Sequence, residues 1–243
     1  MNKLLISSIV FFHNAKQGLL SRPPHHERHM IIMRHGQGQH NVDQVYNSNP
    51  QHPNYKPSPL TKMGKEQVQE SARKLLADGF TPLNIETIIV SPLQRAQETA
   101  EALVEAGLIR RDLIQTDARL GEILMGDREG MPYQDFRDQP WDHTHALDYE
   151  GETESQVNDR VTELCSQLIK NHQTGHVLLI THGTPAMEIS QTYSNIRVPL
   201  TTGGTCVFPL DRIHQAHKGA LSTPMEYQVV YTHKDRVEGD FAS

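Results

Sequence analysis

The sequence predicts an α/β fold of three layers, in which helices cover both faces of a mostly parallel central sheet. Short, uniformly apolar runs alternate with longer amphipathic stretches, which is typical of strands that are buried on both faces and connected by helices. The length of 243 residues and the hydrophobic content of 36% support one large domain or two small ones. They exclude disorder as the overall state of the chain.

The first half of the chain is predicted to contain two strands and two helices. The strands are short apolar runs, and the helices have apolar residues at spacings of three and four. A polar loop rich in Asn and Pro follows the first strand, and its length suggests that it shapes a site. The predicted elements are a strand at 30–33, the loop to Pro59, a helix at 61–80, a strand at 87–90 and a helix from its N-cap Ser91 to about Ala106.

The second half continues the same alternation after Gly107. The segment 132–150 has a single Trp and no clear period, so we expect an insertion over one end of the sheet, above the active site. The last two predicted strands complete the sheet at an edge. The elements around the insertion are strands at 113–116, 177–180, 206–210 and 227–231, a helix at 153–170 and a helix that starts near Pro185.

Residues 1–28 are predicted to be an extension outside the main domain, which then comprises residues 29–243. The apolar run 4–12 follows Lys3 and resembles a weak secretory signal, but no A-x-A cleavage site comes after it. An extra strand or helix packed on the domain is the alternative interpretation. The run is far too short to span a bilayer. We expect a cytoplasmic protein, or a secreted or periplasmic one if the run is a signal.

The charge balance and the cysteines exclude several classes of partner and scaffold. The formal net charge of −6 argues against a nucleic-acid or anionic-membrane surface, so neither partner is expected. Cys165 and Cys206 have no C-x-x-C spacing, and buried free thiols are the favoured interpretation. The fifteen histidines are almost as many as the glycines, which makes any single histidine weak evidence for a site.

Polar side chains follow three of the predicted strands directly. Because ligands of open α/β sheets bind beyond the carboxyl ends of the strands, these residues outrank others as site candidates. Each alone has an ordinary explanation, such as a turn or a surface ion pair. Together they bring two histidines, two arginines and helix N-termini to one edge, which favours a phosphate group. The residues are Arg34, His35, Gly36, Ser91, Arg95, Thr181, His182 and Gly183.

The motifs around these residues resemble the histidine phosphatase superfamily, with its phosphoglycerate-mutase-like fold, and in particular its branch 1 phosphatases. The resemblance extends in order from about His29 to Leu210, and its motifs are specific in combination. The motifs are R-H-G at 34–36, L-T-x-x-G at 60–64, S-P-L-x-R-A-x-x-T-A at 91–100, L-x-E-x-x-x-G-x-x-E-G at 120–130, G-E-T at 151–153 with Arg160 downstream, and T-H-G at 181–183.

The resemblance implies that His35 is the nucleophile of a phosphomonoester hydrolase and forms a covalent phosphohistidine. Its imidazole must be neutral and held in one tautomer, which a backbone carbonyl such as that of Gly36 can do. Arg34 and Arg95 would bind the phosphoryl oxygens in bidentate fashion. A cationic His182 and Asn41 would complete the clamp, and Gly36 and Gly183 are expected among the substrate-binding residues.

Glu122 stands at the acid position of the family. The resemblance implies that it protonates the leaving oxygen and then activates water to hydrolyse the phosphohistidine. Glu129 in the same segment is expected to be a structural loop carboxylate in an ion pair. No metal and no cofactor are expected, because arginines and an imidazolium take the place of Mg²⁺.

Departures from the family patterns favour a phosphatase over a mutase. Cofactor-dependent mutases typically carry R-H-G-E-S, whereas residues 34–41 read R-H-G-Q-G-Q-H-N. The alternatives are a cofactor-dependent phosphoglycerate-type mutase and a non-catalytic phospho-ligand binding module. Dinucleotide binding fits poorly, since Gly36-x-Gly38 lacks a third glycine and an acidic ribose partner.

The substrate is expected to be a small phosphorylated molecule, with a phosphoprotein as the alternative, and the oligomeric state is left open. The loop 37–59 and the insertion 132–150 are expected to set its identity. Candidates to line the mouth are Lys56, Arg128, Tyr133, Arg137, Trp141 and His143.

Overall fold

A computed structural model of the protein describes residues 27–171 and 174–210 and the strand Gln228–Tyr231. Within these residues six strands form one sheet, and six α-helices and four short 3-10 helices connect or flank them. The strands are β1 His29–Arg34, β2 Ile85–Val90, β3 Ile114–Thr116, β4 His176–Thr181, β5 Thr205–Pro209 and β6 Gln228–Tyr231. The helices are α1 Gln39–Asp43, α2 Lys62–Ala77, α3 Gln94–Glu105, α4 His143–Asp148, α5 Glu154–Asn171 and α6 Gly183–Ser194.

The strands lie in the order β3-β2-β4-β1-β5-β6. The first four of these strands run parallel to one another, while β5 pairs antiparallel with β1 and β6 pairs antiparallel with β5. The sheet is therefore mostly parallel, and the two last strands extend it at one edge. This architecture confirms the predicted fold class.

Side chains of the central strands alternate between two hydrophobic cores. Met30 and Ile32 of β1 pack into one core with helices α5 and α6. Ile31 and Met33 pack into the other core with helices α2 and α3. A strand buried on both faces needs apolar residues at every position, which explains the uninterrupted run at 30–33. The three layers follow from this arrangement.

Strand register brings the candidate residues to one edge. Arg34 lies opposite Thr181 in the pairing of β1 with β4, and Val90 lies opposite Ile180 in the pairing of β2 with β4. The residues that follow these strands also bond to the sheet, since the backbone N–H of His35 donates to the Thr181 carbonyl at 2.9 Å. The expected meeting of three strand ends is therefore present.

Several boundaries differ from the sequence prediction. Helix α2 starts after Thr61, whose hydroxyl caps it by accepting the Gly64 N–H at 3.0 Å, and it ends at Ala77 because Gly79 leaves the helical region with φ +94°. Phe80 returns to the core instead of extending the helix. The predicted strand at 113–116 begins one residue later, after a 3-10 turn. Residue 227 of the last predicted strand lies outside the described residues.

Ser91 does not cap helix α3, contrary to the prediction. The helix begins at Gln94, and the N-cap is Leu93. The hydroxyl of Ser91 instead bonds to His182 Nε2 at 2.7 Å and accepts the Leu93 N–H at 3.3 Å. A tertiary hydrogen bond to another strand end therefore replaces the expected local cap.

The segment 132–150 is held against the domain by aromatic packing. Tyr133, Phe136 and Trp141 pack on the core next to α5 and α6. The guanidinium of the fully buried Arg128 stacks over the rings of Phe136, Trp141 and Tyr149 at 4.2, 5.1 and 4.3 Å from their centroids. These cation–π contacts fasten the segment to the 3-10 helix Gly126–Arg128.

Cys165 and Cys206 are buried free thiols, as predicted. Residues 1–26, which include the signal-like run, lie outside the described residues. In the described part of the chain, none of the helices combines the length and the apolar character needed to cross a bilayer.

Candidate active site

His35 is buried at the end of β1 with both ring nitrogens engaged. Its Nδ1 hydrogen-bonds to the Gly36 carbonyl at 2.6 Å, and a carbonyl only accepts, so Nδ1 carries the proton. Its Nε2 accepts from Arg95 Nε at 3.1 Å. Burial, together with the charges of Arg95 and Arg34, lowers the pKa of His35 well below its ordinary value. The ring is therefore neutral, with the Nε2 lone pair directed at a guanidinium.

Arg95 reaches this position from the first turn of α3. Its Nη1 donates to Asn47 Oδ1 and its Nη2 to the Asn47 carbonyl, each at 2.8 Å. Burial lowers the pKa of Arg95 to about 10, which still leaves it charged at neutral pH. Arg34 is equally buried, and its Nη1 donates to the Leu200 carbonyl at 2.9 Å. Two buried guanidiniums thus lie beside the imidazole of His35.

His182 lies on the other side of the pocket, with its ring centroid 5.0 Å from that of His35. Burial lowers the pKa of His182 well below its ordinary value, and Arg95 and His35 lower it further. The expectation of a cationic His182 is therefore wrong for the free protein, because desolvation and two nearby guanidiniums disfavour a third charge. Its Nδ1 is buried and has no hydrogen-bond partner among the described residues.

Two further buried polar groups also lack a partner within the described residues. The side chain of Asn41 is fixed because its Oδ1 accepts the Gly38 N–H at 2.9 Å, yet its Nδ2 is buried without a partner in the described part of the chain. The hydroxyl of Tyr133 is also buried without one, and burial raises the pKa of this phenol. Arg95, Arg34 and Glu122 all act electrostatically on Tyr133, which places it at the same site. Buried donors without partners are rare, and here a bound anion would satisfy them.

Glu122 reaches the site from the loop after the 3-10 helix Ala118–Leu120. Its carboxylate accepts the backbone N–H groups of Ile123 at 2.9 Å, Gly183 at 3.1 Å and Thr184 at 3.3 Å. Two of these donors belong to the N-terminus of α6, which favours a negative charge. The structure therefore brings Glu122 next to His182.

Glu129 is fully buried and holds the loop that carries Asn47. Its carboxylate accepts the Ser48 N–H at 2.9 Å, the Ser48 hydroxyl at 2.8 Å and the Asn49 N–H at 3.2 Å. The expected structural role fits this geometry, but the expected ion pair is absent among the described residues, since the partners are neutral donors. Glu129 thereby fixes the loop that orients Arg95.

The N–H groups of Gly36 and Gly183 are both engaged within the protein, and the expectation that these two residues bind substrate stays a prediction. The Gly36 N–H donates to Thr99 Oγ1 at 3.1 Å, and the Gly183 N–H is used by Glu122. A Cβ at Gly36 would overlap the carbonyl oxygen of Gly64 at the start of α2. Gly36 is therefore needed for a close backbone approach and for its carbonyl, which holds His35.

The expected mouth residues separate into three groups. Arg128 is fully buried beneath the aromatic rings of the insertion and therefore cannot line a mouth. The sequence prediction did not take these rings into account. Tyr133 lies at the site itself. The side chains of Lys56, Arg137 and His143 are exposed, and Trp141 is partly buried.

Two residues of the site were not singled out from the sequence. Asn47 and His40 both lie in the polar loop 37–59, which was expected to shape the site. The ring of His40 is buried with its centroid 5.6 Å from that of His35. The only sequence feature that could have pointed to His40 was its position one residue before Asn41. Among the described residues, no group of three His, Cys, Asp or Glu side chains is arranged to hold a metal ion.

Comparison with known proteins gives a consistent result. The model of the histidine phosphatase superfamily (branch 1) matches residues 30–200. The 2,3-bisphosphoglycerate-dependent phosphoglycerate mutase of Bartonella henselae is 26% identical over 216 residues, which are 82% of this chain and 100% of that protein.

Two solved structures illustrate the likeness in fold. The alpha-ribazole phosphatase from Shigella flexneri is 22% identical with a TM-score of 0.57, and the match covers 74% of this chain and 89% of that one. A mycobacterial glucosyl-3-phosphoglycerate phosphatase in complex with VO3 is 23% identical with a TM-score of 0.58, covering 74% and 92%.

Proposed function

The chain belongs to branch 1 of the histidine phosphatase superfamily, and on that premise we propose that it hydrolyses phosphomonoesters through a phosphohistidine on His35. The observation that carries the proposal is the pair of bonds to this ring. The Gly36 carbonyl holds the proton on Nδ1, and Arg95 marks the side from which Nε2 attacks. A neutral, oriented imidazole is what a nucleophilic histidine requires.

In the first half-reaction, Nε2 of His35 forms a bond to phosphorus while the bond between phosphorus and the leaving oxygen breaks. Glu122, in its protonated form, delivers its proton to that oxygen, so the product leaves as an alcohol. The transferred group carries negative charge on three oxygens. Arg34 and Arg95 supply two fixed positive charges beside it, in a buried setting where such charges stabilise the transition state strongly.

In the second half-reaction, the ionised Glu122 takes a proton from water as the water oxygen attacks phosphorus. The bond between phosphorus and Nε2 then breaks, and the products are inorganic phosphate, the free imidazole of His35 and a protonated Glu122. One carboxyl thus serves both steps. The unpartnered Nδ2 of Asn41 and hydroxyl of Tyr133 supply hydrogen bonds to the phosphoryl oxygens, and Nδ1 of His182 supplies another when it carries the proton of that ring.

A phosphoglycerate mutase is the second candidate, favoured by the Bartonella henselae relative. Two features of this chain support hydrolysis instead. Residues 34–41 depart from the R-H-G-E-S pattern, and Glu122 lies at the N-terminus of α6 next to His182, where we propose that it activates water. We propose a small phosphomonoester as substrate.

The test is hydrolysis of p-nitrophenyl phosphate by the full chain, in the presence of EDTA. We expect turnover without added metal and a labelled, acid-labile phosphoenzyme after rapid mixing with substrate. His35→Ala should abolish both signals, and full activity of this variant would overturn the nucleophile assignment. Conversion of 3-phosphoglycerate to 2-phosphoglycerate, dependent on 2,3-bisphosphoglycerate and faster than release of inorganic phosphate, would favour the mutase.

A further inference from the structure

His40 is a third imidazole beside the proposed phosphoryl site, and the reaction described above gives it no role. Only 4% of the residue is exposed. Its Nδ1 hydrogen-bonds to Ser58 Oγ at 2.9 Å, and the same oxygen accepts the backbone N–H of His40 at 2.9 Å. The ring is therefore fixed next to the ring of His35 by two bonds to one hydroxyl.

Gly38 makes the room that this ring occupies. A Cβ at residue 38 would lie 2.9 Å from His40 Nδ1 and 3.1 Å from Ser58 Oγ, closer than side chains normally approach. Any larger residue at this position would displace either the imidazole or the hydroxyl that holds it. Glycine at position 38 is therefore needed for the ring of His40 to be buried in this place.

The charges around His40 are mostly positive. Burial lowers its pKa well below the ordinary value, and Arg95, His35 and Arg34 add to that effect. His40 in turn lowers the pKa of His182, and Glu122 is the carboxylate that acts on Arg95 from the same site. The free protein therefore combines two guanidinium cations with three neutral imidazoles.

A phosphoryl dianion reverses the sign of the field on these rings. An opposite charge within a few ångströms favours the charged form of an imidazole. Ser58 Oγ can accept both the backbone N–H and the Nδ1 proton of His40, which leaves Nε2 as the nitrogen with a free lone pair. A second proton on this ring would thus be placed on Nε2.

We propose that His40 takes up one proton from solvent when a phosphoryl group enters the site, so that a third positive charge stabilises the bound anion. This inference rests on the proposed function, because it uses the same site. Binding and protonation are then linked, and the affinity for a dianion must rise as the pH falls, by up to about tenfold per pH unit for each proton taken up.

Isothermal titration of the full chain with sulfate tests this linkage. Sulfate is tetrahedral like a phosphoryl group and does not itself titrate between about pH 5.5 and 8, so any proton uptake belongs to the protein. Titrations in buffers of different ionisation enthalpy give the number of protons taken up. We expect His40→Gln to take up about one proton fewer than the wild type, and its affinity to rise less steeply as the pH falls.

His52→Gln is the matched control, because the ring of His52 bonds only to the backbone N–H of Asn54 within the described residues. It should take up as many protons as the wild type. A His40→Gln variant with an unchanged proton count would overturn the proposal. An equal loss of protons in both variants would overturn it as well.

A spectroscopic measurement on the wild type covers the case in which His40→Gln fails to fold. Long-range ¹H–¹⁵N spectra of the imidazole nitrogens, recorded with and without sulfate, should show the ring of His40, assigned separately from those of His35 and His182, changing from neutral to cationic. Spectra without such a change contradict the proposal. If the spectra show no such change but the protein hydrolyses p-nitrophenyl phosphate, the proton uptake is contradicted and the proposed function stands. If no phosphohistidine forms, the proposed function is contradicted and the proton uptake is not.

Discussion

Asn47 binds Arg95 twice, through its side-chain oxygen and through its backbone carbonyl, each 2.8 Å from a guanidinium nitrogen. The remaining nitrogen, Nε, donates to His35, the proposed nucleophile. The orientation of the guanidinium is therefore set from a loop, and not by the helix that carries Arg95.

We expect Asn47→Ala to lower kcat/KM for a phosphomonoester by about 10–100-fold, because a misplacement of the guanidinium by an ångström weakens its contact with the transition state. Steady-state kinetics on p-nitrophenyl phosphate measure the effect. Asn54→Ala, at an exposed site of the same loop, is the control and should retain wild-type kinetics. Equal rates for the two variants would show that Arg95 needs no support from Asn47.

Glu129→Gln should reduce both stability and activity. The amide group of Gln brings N–H donors towards the N–H groups of Ser48 and Asn49, so part of the buried network loses its acceptor at a cost of about 1–3 kcal/mol. Urea unfolding measures the stability and kcat/KM the activity. Glu105→Gln, on the exposed end of α3, should change neither. A fully stable and fully active Glu129→Gln would contradict the role of this carboxylate.

Glu122→Gln should slow substrates according to their leaving group. In the proposed mechanism an alkyl phosphate needs a proton from Glu122, whereas p-nitrophenolate leaves without one. We expect the rate of the phosphorylation step to fall about 100-fold or more for the alkyl ester and by less for the aryl ester. Rapid-mixing kinetics measure this step. Equal losses for both esters would argue against an acid role.

His176 should make the fold sensitive to acid. It lies at the start of β4, at the end of the sheet opposite the candidate active site. Burial lowers the pKa of His176 to about 4, and His29 adds to the effect. Its Nδ1 accepts the His29 backbone N–H at 3.1 Å, so a proton on Nδ1 breaks that bond. The unfolded chain binds this proton more readily, which means that stability is lost as the pH falls from about 6.5 towards 4.

The urea midpoint measured at intervals across that pH range tests the effect of His176. We expect His176→Gln to flatten the dependence of the midpoint on pH, although the variant is less stable at neutral pH. A slope that matches the wild type would assign the acid sensitivity to other groups. His143→Gln provides an exposed histidine for comparison.

The fold and most of the site could be predicted from local sequence. Uniform apolar runs identified the central strands, and the rule that ligands bind at strand ends selected Arg34, His35, Arg95 and His182. Parallel pairing in register then brought these residues together without further information. These features could be predicted because the local pattern and the strand register each depend on only a few neighbouring residues.

The support of these residues could not be predicted in the same way. Asn47 contacts a residue 48 positions away, and Glu129 contacts Ser48 across 81 positions. No periodicity connects such loops, so their pairing emerges only from the packed structure. The capping rule failed at Ser91 for the same reason, because a distant imidazole uses the hydroxyl that the rule assigned to the helix. The prediction of a cationic His182 was wrong for the free protein because burial, which lowers the pKa of this ring, is a property of the whole fold.

Gly36 and Gly64 face each other so closely that a methyl group on either one would overlap backbone of the other segment. The start of α2 therefore limits the positions that the backbone after His35 can adopt. A redesign of this helix that replaces Gly64 or shifts its backbone also displaces the loop that follows His35. Directed evolution of substrate preference should keep the two glycines as a fixed pair and diversify the loop beyond them.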